Sequence, residues 1–165
     1  MSDPQRRDVA HTVVCRATPT LDTGAYAAGD LMGGKLTFAN AAREGVGTGF
    51  VESINIPDLA AQGVDVTLIL FDQDPSGTTF TDQAAFDIAD ADLAKVIGFF
   101  TFGSDARFAF ADNSLKFVTG LATAFSLTDA NGEVSTSMYG ALVAGGAYDG
   151  VTAADITIKL GISQD

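Results

Sequence analysis

The sequence predicts an all-β domain: an antiparallel β-sandwich or jelly roll of about eight strands with one short helical insertion. Three observations predict it. Segments rich in Val, Ile, Thr and Phe alternate apolar and polar residues with a period of two. Gly, Asn and Asp clusters separate these segments. The strand-then-helix rhythm of a parallel sheet is missing. A closed barrel is the alternative architecture. At 165 residues the chain has the length of one domain, so 1–165 reads as a single unit.

The elements follow in order. Residues 9–16 form a first strand with His11, Val13 and Cys15 on one face. A turn-rich loop leads to a second strand at 31–38, interrupted by Gly33-Gly34. After a glycine-dense turn at 45–49, residues 50–56 form a third strand that Pro57 closes. Residues 64–71 form the fourth, with Val64, Val66, Leu68 and Leu70 sharing a face. Residues 82–94 are the helical insertion, two short turns capped by Asp82 and Asp90.

Residues 96–102 are apolar on both faces, which predicts a central or doubly covered strand. A short strand at 107–111 precedes a long one at 115–127. In the long strand Leu115, Phe117, Leu121, Phe125 and Leu127 form the expected core face. Lys116, Val118, Gly120, Ala122, Ala124 and Ser126 form the other. Asn131-Gly132 marks the tip of a hairpin that returns through 134–144. Ile156, Ile158, Leu160 and Ile162 alternate in the last strand. The expected core includes Leu121, Phe125, Ile156, Ile158 and Leu160.

Charge narrows the function. Nine Lys and Arg face 21 Asp and Glu, a formal net charge of −12. That sign repels phosphate backbones and anionic lipid, so neither nucleic acid nor membrane is an expected partner. A lone cysteine, Cys15, excludes an intrachain disulfide or a thiolate metal cluster. Neither a signal peptide nor an apolar spanning run is visible, which predicts cytoplasmic synthesis.

No catalytic constellation emerges. His11 is the one histidine, and a G-x-S-x-G elbow is missing. On a strand His11 and Cys15 stand about 13 Å apart, too far for a dyad. Both read as core or edge residues. Asp72, Asp74 and Ser76, followed by Gly77, imitate the opening of an EF-hand calcium loop. The imitation stops there: position twelve is Gln83, and a strand precedes the loop. A solvated turn is the plainer reading, with Asp72, Asp74 and Ser76 as a weak cation candidate. The Asp82, Asp87, Asp90 and Asp92 series fits caps and a solvated face better than a hydrolase carboxylate pair. Gly45-Val46-Gly47-Thr48-Gly49 lacks the Lys-Ser/Thr ending of a phosphate loop.

Several segments resemble a family of small bacteriophage virion proteins of the head-decoration, or capsid cement, type. Arg16-Ala17-Thr18-Pro19 leads through a loop to Tyr26-Ala27-Ala28-Gly29-Asp30-Leu31, similar to that family's Tyr-Ala-x-Gly-Asp-Val segment. Val66-Thr67-Leu68-Ile69-Leu70-Phe71-Asp72 resembles its strand before a Pro-containing loop. Asp82-Gln83-Ala84-Ala85-Phe86 and the stretch 138–148 resemble later elements. The resemblance implies a non-enzymatic virion component on the capsid surface that binds the major capsid protein and requires no cofactor.

Decoration of a shell would stabilise it by mass action, since a partner that binds only the assembled lattice shifts it away from disassembly. Self-association is also expected, for example as a trimer closed by heterologous contacts. The expected partner-binding residues are Arg6 and Arg7, on a docking arm at 1–8, and the small residues Gly120, Ala122 and Ala124. The alternative is a carbohydrate- or receptor-binding sandwich of a head or tail fibre, presenting Tyr26, Tyr139 or Tyr148 as a platform.

Overall fold

Two antiparallel sheets face each other across one apolar core. The structure is a computed structural model that describes residues 11–150 and 152–165. The docking arm at 1–8, with Arg6 and Arg7, lies outside the described residues. In chain order the strands are β1 (His11–Ala17), β2 (Ala25–Tyr26), β3 (Leu36–Phe38), β4 (Thr48–Asp58), β5 (Val66–Phe71), β6 (Val96–Phe102), β7 (Arg107–Ala109), β8 (Ser114–Ser126), β9 (Met138–Ala144), β10 (Tyr148–Asp149) and β11 (Ile158–Gln164). One sheet has the order β1-β11-β4-β8-β7 and the other β3-β9-β5-β6, with β10-β2 as a separate ribbon. The all-β antiparallel sandwich predicted from alternation is therefore the fold.

The clean period-two segments deliver the core. Val66, Leu68 and Leu70 of β5 point inward, as do Ile158, Leu160 and Ile162 of β11. Phe125 and Ile156 are buried as expected, whereas Leu121 is half-buried at the margin. Each fully buried aliphatic side chain contributes roughly 1.5–3 kcal/mol of transfer free energy.

Four expectations are corrected, each for a local reason. First, β8 changes face midway. Val51 pairs with Thr123 but Ser53 with Thr119, so Gly120, Leu121 and Ala122 bulge opposite Glu52. Gly120 (φ 73°) and Ala122 (φ 48°) take left-handed backbone to make the bulge. Before it the inward side chains are Ser114 and Lys116, and Phe117 faces out. A one-residue change of phase moves every side chain to the opposite face. Second, β6 is an edge strand, paired only with β5, and Phe99 is 72% exposed.

Third, β8 and β9 are not a hairpin. Asp129 folds the local turn by accepting the Asn131 and Glu133 amides at its carboxylate, with Gly132 at φ 80° and Asn131 at ordinary negative φ. A single bridge, Thr128 to Val134, closes it before the chain crosses to the other sheet. Fourth, the insertion holds only a 3-10 helix, Asp90–Lys95, whose N-cap is Ala89. Asp82 caps no helix: its carboxylate accepts from the Asp22 amide (3.1 Å), the Gly33 amide (2.6 Å) and the Tyr26 hydroxyl (2.9 Å).

Candidate functional site

The two sheets turn very different outer faces to their surroundings. The outer face of β3-β9-β5-β6 is roofed by the long segment at 72–95. Leu31, Phe71 and Ala141 are buried there in a second apolar cluster, with Ile69, Phe80, Phe86, Ile88, Val96 and Tyr139 packed around them. Polar groups latch the roof. Lys35 Nζ lies 2.6 Å from Asp74 Oδ1 and stands over the Phe80 and Tyr139 rings. Lys95 Nζ bridges Asp92 Oδ1 (2.7 Å) and the Asp74 carbonyl (2.8 Å). The Thr78 hydroxyl donates to Asp92 Oδ2 (2.8 Å). Asp92 is 1% exposed, and the Lys95 ammonium bonded to it holds its carboxyl below the usual range.

This is where the structure places the cation candidates. Asp74 takes two lysine ammoniums, one at its carboxylate and one at its carbonyl. Burial pushes the Asp72 carboxyl up, and its amide donates to the Lys95 carbonyl. The Ser76 amide donates to the Asp74 carbonyl within the turn. Lys35 and Lys95 supply positive charge to this loop.

Polar groups inside the sandwich serve the fold. Tyr26 and Tyr148, both 1% exposed, meet edge to face with ring centroids 6.2 Å apart. Their hydroxyls donate to Asp82 and Asp58 and so staple the β2-β10 ribbon to the core. Burial and the neighbouring carboxylates push both phenols far above their usual range. Cys15 is buried and its thiol raised by desolvation, while His11 is exposed.

Among the described residues, no segment roofs the outer face of β1-β11-β4-β8-β7. Leu59, Phe108, Phe110 and Phe117 are 60, 66, 54 and 54% exposed. Phe108 and Phe110 touch, with centroids 4.8 Å apart. Two shallow grooves cross this face. One, of about 320 Å³, runs past Pro57, Leu59, Phe110 and Leu115. The other, of about 270 Å³, lies between Val14, Arg16, Phe117 and Lys159. Phe108, Phe110 and Phe117 thus form a run of exposed aromatics on one sheet face.

Arg16 and Lys159 are register partners across β1 and β11. Among the described residues they are the Lys and Arg side chains with no hydrogen bond or ion pair. Like charges directly opposite on a sheet repel. Among the described residues, no carboxylate forms an ion pair with either of the two.

Gly120, Ala122 and Ala124 are exposed, but Gly120 and Ala122 form the β8 bulge and only Ala124 continues the strand face. Sequence reasoning missed the exposed Phe108, Phe110 and Phe117 and the Arg16–Lys159 pair. The Phe108-Ala109-Phe110 alternation beside an Asp-Asn turn was the available signal for the first two. Comparison of the sequence with protein-family models and with curated proteins gives no match.

Proposed function

We propose that this chain is a virion structural protein of the capsid-decoration type, which attaches to the outer surface of a phage head and stabilises its lattice. The observation that carries the reading is the face on which Leu59, just past β4, Phe108 of β7 and Phe110, just past β7, turn to solvent. Phe108 and Phe110 pack on each other, so docking orders fewer independent side chains. Burying three such side chains against a shell supplies several kcal/mol per copy, about 1.5–3 kcal/mol each. Many copies bound only to the assembled lattice then resist its disassembly. Of the three tyrosines of the fibre alternative, Tyr26 and Tyr148 are core residues and Tyr139 is half-buried, which favours the decoration reading.

The test replaces Phe108 and Phe110 with Ser in the producing phage. The variant should keep its β circular dichroism and vanish from purified particles, in which the unaltered chain approaches the shell protein in abundance. Full incorporation of the variant, or scarcity of the unaltered chain, would reject the reading.

A further inference from the structure

We infer that the cationic groove of one copy docks on an acidic groove of a second copy, in a head-to-tail contact between opposite faces of the sandwich. The donor groove is the one between Val14, Arg16, Phe117 and Lys159. Among the described residues its two cations have no ion-pair partner; they face each other across β1 and β11 and are bordered by exposed apolar side chains. A partner must therefore bring both carboxylates and apolar surface.

The same chain presents that combination elsewhere. On the roofed face a groove of about 430 Å³ is lined by Ile69, Phe86, Ile88, Leu93 and Val143, with Asp87 and Asp90 at its rim. Leu93 is exposed, and Phe99 stands out from β6 opposite Ile69. Asp87 and Asp90 are themselves exposed and have no hydrogen-bond or ion-pair partner among the described residues. Two free cations with apolar neighbours thus match two free carboxylates with apolar neighbours.

A two-fold axis through either patch would set like charge against like. The complementary pairing is heterologous instead: one face of each copy meets the other face of the next. Such contacts build a closed ring or a continuing row of copies. Complementary charge fixes the register and rejects the like-charged alternatives, while the apolar side chains supply most of the affinity. This contact joins copy to copy on the sheet face that also carries Leu59, Phe108 and Phe110, and Lys159 borders both of its grooves. It stands independently of the particle reading, which is tested by incorporation and not by mass in solution.

Sedimentation of the purified chain from micromolar to millimolar concentration tests it. The unaltered chain should gain mass with concentration, less so in high salt. R16E/K159E should weaken self-association by about tenfold or more. D87K/D90K should do the same, although it makes the chain less acidic and so lowers general repulsion. Mixing the two variants should restore association, because each retains the face that the other lacks. Unchanged circular dichroism for both variants excludes misfolding. A monomer at every concentration would overturn the inference, as would variants that associate like the parent. A mixture that stays monomeric while the parent associates would overturn it too.

Discussion

The two outer faces of the sandwich are built from similar side chains and treated in opposite ways. On one, outward-pointing Phe71 is completely buried under the segment at 72–95. On the other, outward-pointing Phe117 is left in solvent. A long, latched loop covers the first, and among the described residues no segment covers the second. The roofed face shows that this chain can cover an apolar sheet when stability requires it. The aromatic face on the other side of the same molecule stays uncovered by the described residues, and the proposed docking rests on that contrast.

The largest expected effect separates the two phenylalanines directly. Phe71→Ala should cost about 3–5 kcal/mol in denaturant unfolding, the usual result of emptying a packed aromatic site. Phe117→Ala should change stability by less than about 0.5 kcal/mol. Equal costs would mean that the bare face is packed in solution and that the contrast is false.

The latch comes next. Asp92→Asn should destabilise by about 1–2 kcal/mol, because the buried site keeps its hydrogen bond from Thr78 but loses the charge that Lys95 needs. The cost is held down because Lys95 still reaches solvent. Protease cleavage should concentrate within 72–95. Acid should reproduce this loosening. The folded carboxyl of Asp92 is depressed, so its stabilisation is complete above the unfolded value, about 3.9, and disappears as pH falls through the lower folded value. Hydrogen exchange below about pH 3.9 should accelerate across 72–95 before the sandwich core opens. Simultaneous exchange of roof and core would show that the roof is not a separate unit.

Strands with uninterrupted alternation were legible from the sequence. The inward Val66-Leu68-Leu70 and Ile158-Leu160-Ile162 series needed no tertiary information, because a single pleat phase runs through each. What failed was phase and partnership. The bulge at Gly120–Ala122 depends on Glu52 of a distant strand, and no local signal places it. By alternation alone Phe117 therefore reads as a core residue. The apolar run of β6 reads as a central strand because its sequence does not state which edge lacks a neighbour. The Asn131-Gly132 turn was visible, but the crossing to the second sheet is fixed by the pairing of β9 with β5. The candidate site was least legible of all. Arg16 and Lys159 lie near opposite ends of the chain, and only the β1-β11 register makes them neighbours.

That pair gives the smallest effect and the most diagnostic sign. Two cations face each other across β1 and β11 with no ion-pair partner among the described residues, so native repulsion should cost a few tenths of a kcal/mol. Arg16→Thr removes the repulsion and places a β-branched residue on a strand. It should therefore raise the stability of the isolated chain by about 0.3 kcal/mol at low salt, and the gain should shrink as salt screens the pair. Lys159→Thr should behave alike, and the double variant should gain less than the sum, since either change alone ends the repulsion. A residue kept for folding would give the opposite sign. If either substitution destabilises by more than about 1 kcal/mol, the aliphatic stems of the pair are packing against Val14 and Phe117 and serve the sheet. Stabilisation coupled to weaker self-association would instead mean that the chain retains the two charges, at a cost to its own fold, for contact with another surface.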